Sequence, residues 1–401
     1  MLVGLDTIGR GSPAAQARLG GAKIAVLTHA AAVDQRGRQT LTVLADLGAK
    51  VQVVFSPEHG LYGYAQAEEV VSAASPSEEG PRYVSLYGAS KASLSPKAED
   101  FAGIDVFVID LVDVGSRYYT YVWTALLSAR VAADAGVHVL VLDRPNPLGG
   151  DAFHLEGRPQ EPEFLSFVGL ESLPIRHSMT LAEILAFHFN RDDRPLGPDG
   201  ALSVARIVGW ERHHTASAWG RPFVPPSPNM PTLETALVYP GACLLEGTNL
   251  SEGRGTTTPF QLVGAPFLDG EALAKKLGPV SGALVRPVQF RPTFEKHAGK
   301  VVSGVMIHVT RAEEFRPVQT YLSLIFHAQK LAPEQFEFLT RAYEFETEHL
   351  AFDLLIGSAR ARQLILEAAP LEELLAAVCP VDEEWIGQVE ATEELVQEIY
   401  L

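Results

Sequence analysis

Five stretches of this chain place an apolar run directly before a polar, charged or glycine-containing cluster, and no other feature of the sequence restricts the fold as strongly. They are residues 24–29, 51–59, 83–88, 105–117 and 138–146. Runs such as VQVVF and HVLVLD lack the alternation of a strand with one wet face, so they indicate strands buried on both faces. Segments of helical length, for example residues 41–48 and 119–136, separate them. Strands that alternate with helices predict a parallel sheet.

The polar clusters are expected at one edge of this sheet. Ligands of parallel α/β sheets bind beyond the carboxyl ends of the strands. Three of the runs are followed there by SPEHG (residues 56–60), DLVDVGSRYYTY (110–121) and DRPNP (143–147). With 401 residues, of which 47% are hydrophobic, the chain is long enough for a large core and two domains. The sequence therefore predicts an α/β fold with a site rich in carboxylates, arginines and tyrosines.

The charge of the chain argues against two classes of partner. The formal net charge of −17 would be repelled by both nucleic acid and an anionic membrane surface. No apolar run reaches transmembrane length and no signal peptide is visible, so we expect a cytoplasmic protein, or a secreted one if a leader is missing from this chain. Cys243 and Cys379 lie in apolar contexts and are predicted to be free thiols.

Six motifs, in one order, resemble a known family. They are SPEHG, DVGSRYYTY, LDRPNPLGG (142–150), PIRHSMT (174–180), PPSPNMPT (225–232) and the long segment 239–266. Together they resemble the NamZ-type exo-β-N-acetylmuramidases, glycoside hydrolase family 171, over nearly the whole chain. The resemblance implies removal of a terminal β-1,4-linked N-acetylmuramic acid from the non-reducing end of peptidoglycan fragments of the MurNAc–GlcNAc type. It also implies a Rossmann-like catalytic domain, here residues 1–235, and a smaller α+β C-terminal domain, residues 236–401, that closes the cleft.

Glu58 is the predicted general acid. Glycoside hydrolysis needs a protonated carboxyl group for the leaving oxygen, and usually a second carboxylate or a substrate group opposite it. Glu58 follows a buried strand in a tight turn between Pro57 and Gly60, and desolvation at the mouth of an apolar sheet favours the protonated form that an acid catalyst needs. From the turn alone, a helix-capping or ion-paired glutamate is an equal alternative, and the resemblance favours catalysis. His59 is placed to tune or orient this acid.

Asp110 and Asp113 are the candidates for a second catalytic carboxylate. Both end a predicted strand whose carboxyl end meets the same sheet edge as Glu58. A structural pair with Arg117 explains them equally well. No metal and no cofactor are predicted, because GxGxxG, GxxxxGK[ST], HExxH and GxSxG are all missing from the sequence. His213 and His214 are adjacent, as metal pairs rarely are, and we interpret them as surface residues.

The candidates for substrate binding lie in the motif loops. A guanidinium group binds a carboxylate with two hydrogen bonds, and a phenol ring offers a stacking face and a hydroxyl group. Tyr119 is expected to face the core instead, and a local pair between Asp143 and Arg144 is as consistent with the sequence as ligand contact. The predicted set is Arg117, Tyr118, Tyr121, Asp143, Arg144, Asn146, Arg176, His177, Asn229, Glu246, Asn249 and Arg254. The lactyl carboxylate of muramic acid requires a local cation, for which the motifs offer Arg117, Arg144, Arg176 and Arg254.

The sequence is also compatible with two alternative functions. One is a glycosidase for another N-acetylated amino sugar, such as N-acetylglucosamine, and the other is a non-catalytic muropeptide-binding protein. A buried arginine would distinguish a muramidase from the first, and the presence of Glu58 speaks against the second. The chain departs from the family pattern at Ser178, Ala182 and Val112, where relatives often have glycine, glycine and glutamine, and these changes bear on substrate fit.

Overall fold

The structure, a computed structural model that describes residues 1–66, 69 and 80–401, is built on a six-stranded parallel sheet. The strands are β1 (Lys23–Thr28), β2 (Lys50–Ser56), β3 (Arg82–Ser85), β4 (Val106–Asp110), β5 (His138–Leu142) and β6 (Leu202–Ala205). Their order is β3-β2-β1-β4-β5-β6, and every neighbouring pair is parallel. This is the strand order of a doubly wound Rossmann sheet. The predicted Rossmann-like parallel sheet is therefore confirmed.

Helices cover both faces of the sheet, which explains the continuous apolar runs. They are α1 (Gly4–Gly9), α2 (Pro13–Leu19), α3 (Thr40–Asp46), α4 (Tyr121–Asp134) and α5 (Leu181–Arg191). In β1, Ile24 and Val26 pack into the core with α1 to α3, whereas Ala25 and Leu27 pack into the core with α4 and α5. Because successive side chains of a strand point to opposite faces, each central strand needs apolar residues at every position.

The start of α5 is fixed by a capping box. The Thr180 hydroxyl accepts a hydrogen bond from the Glu183 amide at 3.2 Å, and the Glu183 carboxylate accepts one from the Thr180 amide at 2.8 Å. The two bonds satisfy amide groups that have no partner within the helix. Thr180 and Glu183 thus fix the first turn of α5.

The C-terminal part contains a smaller antiparallel sheet and most of the remaining helices. Strands β7 (Leu262–Ala265), β8 (Ala283–Phe290) and β9 (Val302–Val309) form this sheet in the order β7-β9-β8. The helices are α6 (Leu233–Ala242), α7 (Gly270–Leu277), α8 (Pro317–Leu331), α9 (Ala351–Ile356), α10 (Arg360–Leu366), α11 (Leu371–Val378) and α12 (Glu383–Glu398). The prediction of a smaller α+β part is confirmed.

One continuous core joins the two parts of the chain. The same cluster of buried residues contains Leu27 of β1 and Ile325 of α8, and α12 packs on α5 with the rings of Phe187 and Trp385 5.5 Å apart. The predicted boundary between residues 235 and 236 falls inside α6 rather than in a linker. Among the described helices, none is both long and apolar enough to cross a lipid bilayer.

Candidate active site

A pocket at the carboxyl edge of the large sheet brings both parts of the chain together. The N-terminal part contributes Glu58, His59, Tyr118, Tyr119, Thr120 and Asn229. The C-terminal part contributes Tyr239, Glu246, Arg254, Phe260, Tyr343 and Glu344. The enclosed cavity is small, about 40 Å³, and it opens to solvent within a wider space of about 470 Å³.

Glu58 lies in the turn that follows β2 and is held by the start of α4. The Thr120 hydroxyl donates a hydrogen bond to Glu58 Oε2 at 2.7 Å. The Tyr121 hydroxyl donates to the backbone carbonyls of Glu58 and Pro226, at 3.1 and 3.0 Å. Only 6% of Glu58 is exposed. The β4–α4 connection therefore fixes both the backbone and the carboxyl group of the predicted acid.

His59 closes the loop that leaves the pocket. Its backbone has a φ of +67°, in the left-handed region that few residues other than glycine adopt. Nδ1 of the ring donates to the Ala65 carbonyl at 2.8 Å, and the Ala65 amide returns a bond to the His59 carbonyl at 3.4 Å. The Nδ1 nitrogen of His59 therefore holds the loop in place through Ala65.

The opposite wall is organised around Arg254. Its Nη2 donates to Glu246 Oε1 at 2.7 Å, and its Nε lies 3.5 Å from Glu252 Oε1. Burial alone would lower the pKa of Arg254, but the charges of Glu246 and Glu252 outweigh burial and raise that pKa above its ordinary value. The guanidinium carbon lies 5.1 Å from the centre of the Phe260 ring, where a cation is favoured. Arg254 is therefore a permanently charged group in the pocket wall.

Besides Glu58, two glutamates line the pocket, and their hydrogen-bond partners differ. Glu246 is occupied on both oxygens, because the Tyr343 hydroxyl donates to its Oε2 at 2.7 Å while Arg254 binds Oε1. Glu344 accepts a hydrogen bond from the Tyr87 hydroxyl at 2.9 Å and has a left-handed φ of +47°. No motif pointed to Glu344, since it lies in the segment TRAYEFETEH, which carries no recognisable pattern. Its place in the pocket depends on tertiary packing alone.

Aromatic side chains form the floor of the pocket. Tyr118 donates its hydroxyl hydrogen to the Pro240 carbonyl, as expected for a buried phenol. Tyr119 also lines the pocket, with its ring 4.6 Å from that of Tyr121 and 6.0 Å from that of Tyr239. Tyr119 is 5% exposed and belongs to the main core, as expected, and its ring also borders the pocket. Tyr121, by contrast, lies behind the pocket lining, where it supports Glu58 and does not itself line the pocket.

The prediction of substrate contact for Arg117 needs correction. Its guanidinium group is fully buried and donates to the backbone carbonyls of Arg158, Leu173 and Leu355 at 2.9, 2.9 and 2.6 Å. Burial lowers its pKa to about 10, so the group stays charged at neutral pH. Arg117 lies outside the pocket and clamps three separate segments of backbone.

Arg144 and Arg176 are also structural. Arg144 binds both oxygens of Asp110, at 2.6 and 3.1 Å, and Thr40 donates to the same carboxylate at 2.6 Å. The predicted local pair of Arg144 with Asp143, and the predicted pair of Asp110 with Arg117, are both replaced by this contact. Arg176 donates to the carbonyls of Leu148 and Phe315 at 3.0 and 3.3 Å, and it lies 3.6 Å from Glu156. Neither arginine lines the pocket.

Asp113 and His177 form a second buried pair away from the pocket. Nε2 of His177 lies 3.2 Å from Asp113 Oδ2, while Nδ1 accepts the Met179 amide at 3.2 Å. Ser178, which follows His177, has a φ of +54°, a backbone conformation that glycine adopts more readily than serine. Asp110 and Asp113 are therefore engaged in structural contacts, and the structure argues against both as the second catalytic carboxylate.

Three further candidates also support backbone rather than the pocket. Asp143 accepts the Ala182 amide at 3.3 Å, and burial together with the charge of Glu183 raises its pKa to about 8. Asn146 donates to the Met179 carbonyl at 3.1 Å. Asn249 donates to the Gln335 carbonyl at 2.7 Å and accepts the Glu337 amide at 3.1 Å. The pocket brings together Glu58, His59, Tyr118, Asn229, Glu246 and Arg254 from the predicted set.

The surface histidines form a separate group. Oxygen or nitrogen atoms of Glu211, His213 and His214 lie within 4.8 Å of one another. The side chain of His213 is 63% exposed, in agreement with the predicted surface position. None of the three lines the pocket.

Comparison with known proteins identifies the family. Models of the N-terminal and C-terminal domains of the exo-β-N-acetylmuramidase NamZ match residues 24–234 and 237–392. The chain therefore belongs to the NamZ family of exo-β-N-acetylmuramidases, which are glycoside hydrolases. It is 38% identical over 375 residues to the peptidoglycan β-N-acetylmuramidase NamZ of Bacillus subtilis strain 168, covering 93% of this chain and 86% of the relative.

Two solved structures share the fold. Both are DUF1343 family proteins from Bacteroides fragilis NCTC 9343. One superposes with a TM-score of 0.81 at 26% identity, and the other with a TM-score of 0.64 at 24% identity. In each case the match covers 100% of this chain and 98% of the other.

Proposed function

We propose that this protein hydrolyses terminal non-reducing β-1,4-linked N-acetylmuramic acid from peptidoglycan fragments of the MurNAc–GlcNAc type, in the pocket between Glu58 and Arg254. The observation that carries the proposal is that one pocket contains a buried glutamate at the sheet edge and a charged arginine on the facing wall. Membership of the family indicates the type of reaction. The charged arginine favours N-acetylmuramic acid as the sugar, because this sugar carries a carboxylate. The predicted cytoplasmic location stays a prediction.

Arg254 is the cation suited to the lactyl carboxylate. Of the four candidate arginines, Arg254 alone lines the pocket, and no other arginine or lysine does so among the described residues. Nη2 of Arg254 donates to Glu246, whereas Nη1 of Arg254 has no acceptor within the described part of the chain. An anionic sugar would meet little other attraction, since the whole chain carries a net charge of −17. Arg254 therefore offers a charge-assisted hydrogen bond at a fixed position.

Glu58 is assigned as the general acid. The Thr120 hydroxyl donates to Oε2 and holds the carboxyl group, whose proton passes to the glycosidic oxygen as the bond breaks. From the start of α4, Thr120 holds the carboxyl group and Tyr121 holds the backbone carbonyl of Glu58, which together restrict the rotation of the side chain. Fixed geometry of this kind lowers the barrier by keeping the donor at hydrogen-bond distance from the leaving oxygen.

Glu344 is assigned as the second carboxylate in place of Asp110 and Asp113. It lines the same pocket, it is 8% exposed, and the Tyr87 hydroxyl donates to its Oε2. A hydrogen bond from a neutral donor stabilises the ionised form. We assign Glu344 to stabilising the positive charge that develops at the anomeric carbon as the glycosidic bond breaks. Glu246 is less suited, since Arg254 and Tyr343 neutralise and orient it.

The test compares two chromogenic substrates, a β-N-acetylmuramide and the matching β-N-acetylglucosaminide. Wild-type protein is expected to hydrolyse the muramide faster. Arg254→Gln should lower kcat/KM for the muramide by roughly 30-fold or more, because it removes a charged partner in a desolvated site, and should change the glucosaminide rate little. Arg254→Lys should retain part of the preference, since it keeps the charge but loses the planar fork.

Arg360→Gln provides the matched control. The Arg360 side chain is 50% exposed and pairs with Glu373 on the surface, so its loss should alter neither rate. A wild-type preference for the glucosaminide would contradict the proposed substrate and favour the N-acetylglucosaminidase alternative. Equal losses on both substrates in Arg254→Gln would show that Arg254 supports the pocket wall rather than selecting the sugar.

A further inference from the structure

The loop that leaves Glu58 carries two unusually exposed aromatic rings. Within residues 59–66, here called the rim loop, Tyr62 is 64% exposed and Tyr64 is 69% exposed. Aromatic side chains normally bury much of their area, so two of them exposed at alternate positions of one short loop suggest a binding surface.

Both ends of the rim loop are bound to residues that line the pocket. Ala65 exchanges two hydrogen bonds with His59, and Gln66 accepts one from Asn229 at 2.8 Å. His59 and Asn229 both line the pocket. The loop therefore starts and ends at residues bonded to the pocket lining, and the two exposed tyrosines lie between these anchors in sequence.

The rim loop is also shaped by its own backbone. The Gly63 amide donates to the Gly60 carbonyl at 3.2 Å, and both glycines have positive φ angles, of 68° and 76°. A Cβ atom added at Gly63 would lie 3.7 Å from the Pro226 carbonyl oxygen, so the loop lies against the segment that Tyr121 also binds. The positions of Tyr62 and Tyr64 are thus set by turns and packing.

The role of Glu58 as proton donor indicates which part of the substrate lies near this loop. A general acid protonates the glycosidic oxygen, and that oxygen leaves with the next sugar of the chain. The leaving sugar must therefore lie on the side of Glu58, and the rim loop continues from Glu58 by way of His59. Sugar rings present apolar C–H faces that pack on aromatic rings.

We propose that Tyr62 and Tyr64 form a binding platform for the leaving-group sugar, the N-acetylglucosamine that follows the cleaved bond. The inference rests on the proposed function, because it takes the side of the leaving group from the role of Glu58. It adds a second subsite outside the pocket, formed by stacking rather than by charge. The pocket holds the muramic acid, and the rim loop holds the sugar to be released.

The experiment compares a substrate that has a leaving sugar with one that has none. The first is the disaccharide MurNAc–GlcNAc, and the second is the β-fluoride of N-acetylmuramic acid, whose leaving group is a single atom. In the double variant Tyr62→Ala/Tyr64→Ala, kcat/KM for the disaccharide should fall roughly tenfold or more. Hydrolysis of the fluoride should stay within about twofold of wild type, because nothing occupies the platform.

Two further variants serve as controls. Tyr62→Phe/Tyr64→Phe keeps both rings and should retain the disaccharide rate within about threefold, since stacking needs the ring and not the hydroxyl group. Phe153→Ala removes a ring that is 73% exposed and does not line the pocket, and it should change neither rate.

Each other outcome is decisive. Equal losses on both substrates would overturn the platform and show that the loop only supports Glu58. Unchanged rates on both would also overturn it. A wild-type protein that hydrolyses neither substrate would overturn the proposed function and this inference together, whereas failure of the inference alone leaves wild-type activity intact.

Discussion

Single residues decide the chemistry of this pocket, and the clearest contrast is between its carboxylates. Glu246 is neutralised by Arg254 and bound by Tyr343, so its charge serves the wall. Glu58 accepts a hydrogen bond from the uncharged hydroxyl group of Thr120, and Glu344 accepts one from that of Tyr87. A hydroxyl donor fixes a carboxyl group without cancelling its charge, which suits a group that must gain or lose a proton.

Glu58→Gln should separate substrates by their leaving groups. The amide keeps the shape of the side chain but cannot donate the catalytic proton, so cleavage of MurNAc–GlcNAc should fall by ~10²–10⁴-fold. A nitrophenyl muramide should lose much less, because nitrophenolate leaves with little protonation. The measurement is kcat/KM for both substrates, and muropeptide binding should remain detectable.

Glu344→Gln provides the comparison for this test. If Glu344 stabilises the charge at the anomeric carbon, its loss should slow both substrates by similar factors, since that charge forms with either leaving group. Equal losses in Glu58→Gln would instead remove Glu58 from the role of acid. A loss in Glu344→Gln that depends on the leaving group would exchange the two roles.

The sequence predicted those site residues whose role can be recognised from the residues next to them in the chain. Glu58 could be predicted because a buried strand and a turn bracket it, and Arg254 because it lies in a loop rich in polar residues. Glu344 could not, since its partner Tyr87 is 257 residues away. The four arginines could not be ranked either, because their acceptors are mainly carbonyls or carboxylates of distant segments.

At the level of elements, the connection between β4 and α4 supports the site from within. It contains Arg117, whose three carbonyl partners belong to three different segments, and Thr120, which holds Glu58. The motif DVGSRYYTY thus encodes a buried scaffold as well as part of the pocket lining. Arg117, Thr120 and Tyr121 are buried in this motif with their polar groups bonded to backbone carbonyls or a carboxylate that would otherwise lack donors.

Arg117→Met should destabilise the fold without altering the choice of substrate. The variant fills a similar volume but leaves several buried carbonyl groups without donors, which should cost about 3 kcal/mol or more in the free energy of unfolding. Urea unfolding would measure the loss, and Arg311→Met, at an exposed surface pair, should change stability by less than about 0.5 kcal/mol. A changed ratio of muramide to glucosaminide turnover would restore Arg117 as a substrate contact.

Strands were more predictable than their exact ends. The run at residues 138–146 contains β5, which ends at Leu142, and the run at residues 105–117 contains β4, which ends at Asp110. Helix α6 includes Pro240 and crosses the predicted domain boundary. Its position depends on packing against α8, and local propensity carries no information about that contact.

At the level of the whole molecule, the net charge of the chain and the charge of Arg254 act on an anionic substrate in opposite directions. The chain has a formal net charge of −17, yet the pocket offers Arg254 to an anionic sugar. The long-range field repels the substrate, whereas the contact in the pocket attracts it. Salt screens the first over distances of about 10 Å at 0.1 M and affects partly buried pairs much less.

Added salt should therefore accelerate the enzyme. Between ~10 and ~100 mM NaCl we expect kcat/KM for the muramide to rise by roughly twofold or more, because screening weakens the repulsion that slows encounter. The uncharged glucosaminide should show no such rise in the same series. A rate for the muramide that falls steadily with salt would mean that local attraction dominates the approach.

The proposed role of Arg254 would also limit how far the enzyme can travel along a glycan. Peptidoglycan strands alternate muramic acid with N-acetylglucosamine, and only the first sugar offers a carboxylate to this arginine. Each cut therefore exposes an end that the pocket no longer recognises. A long strand should release one muramic acid from its non-reducing end and then stall until another hydrolase removes the exposed N-acetylglucosamine, so that degradation requires two enzymes in alternation and is not processive.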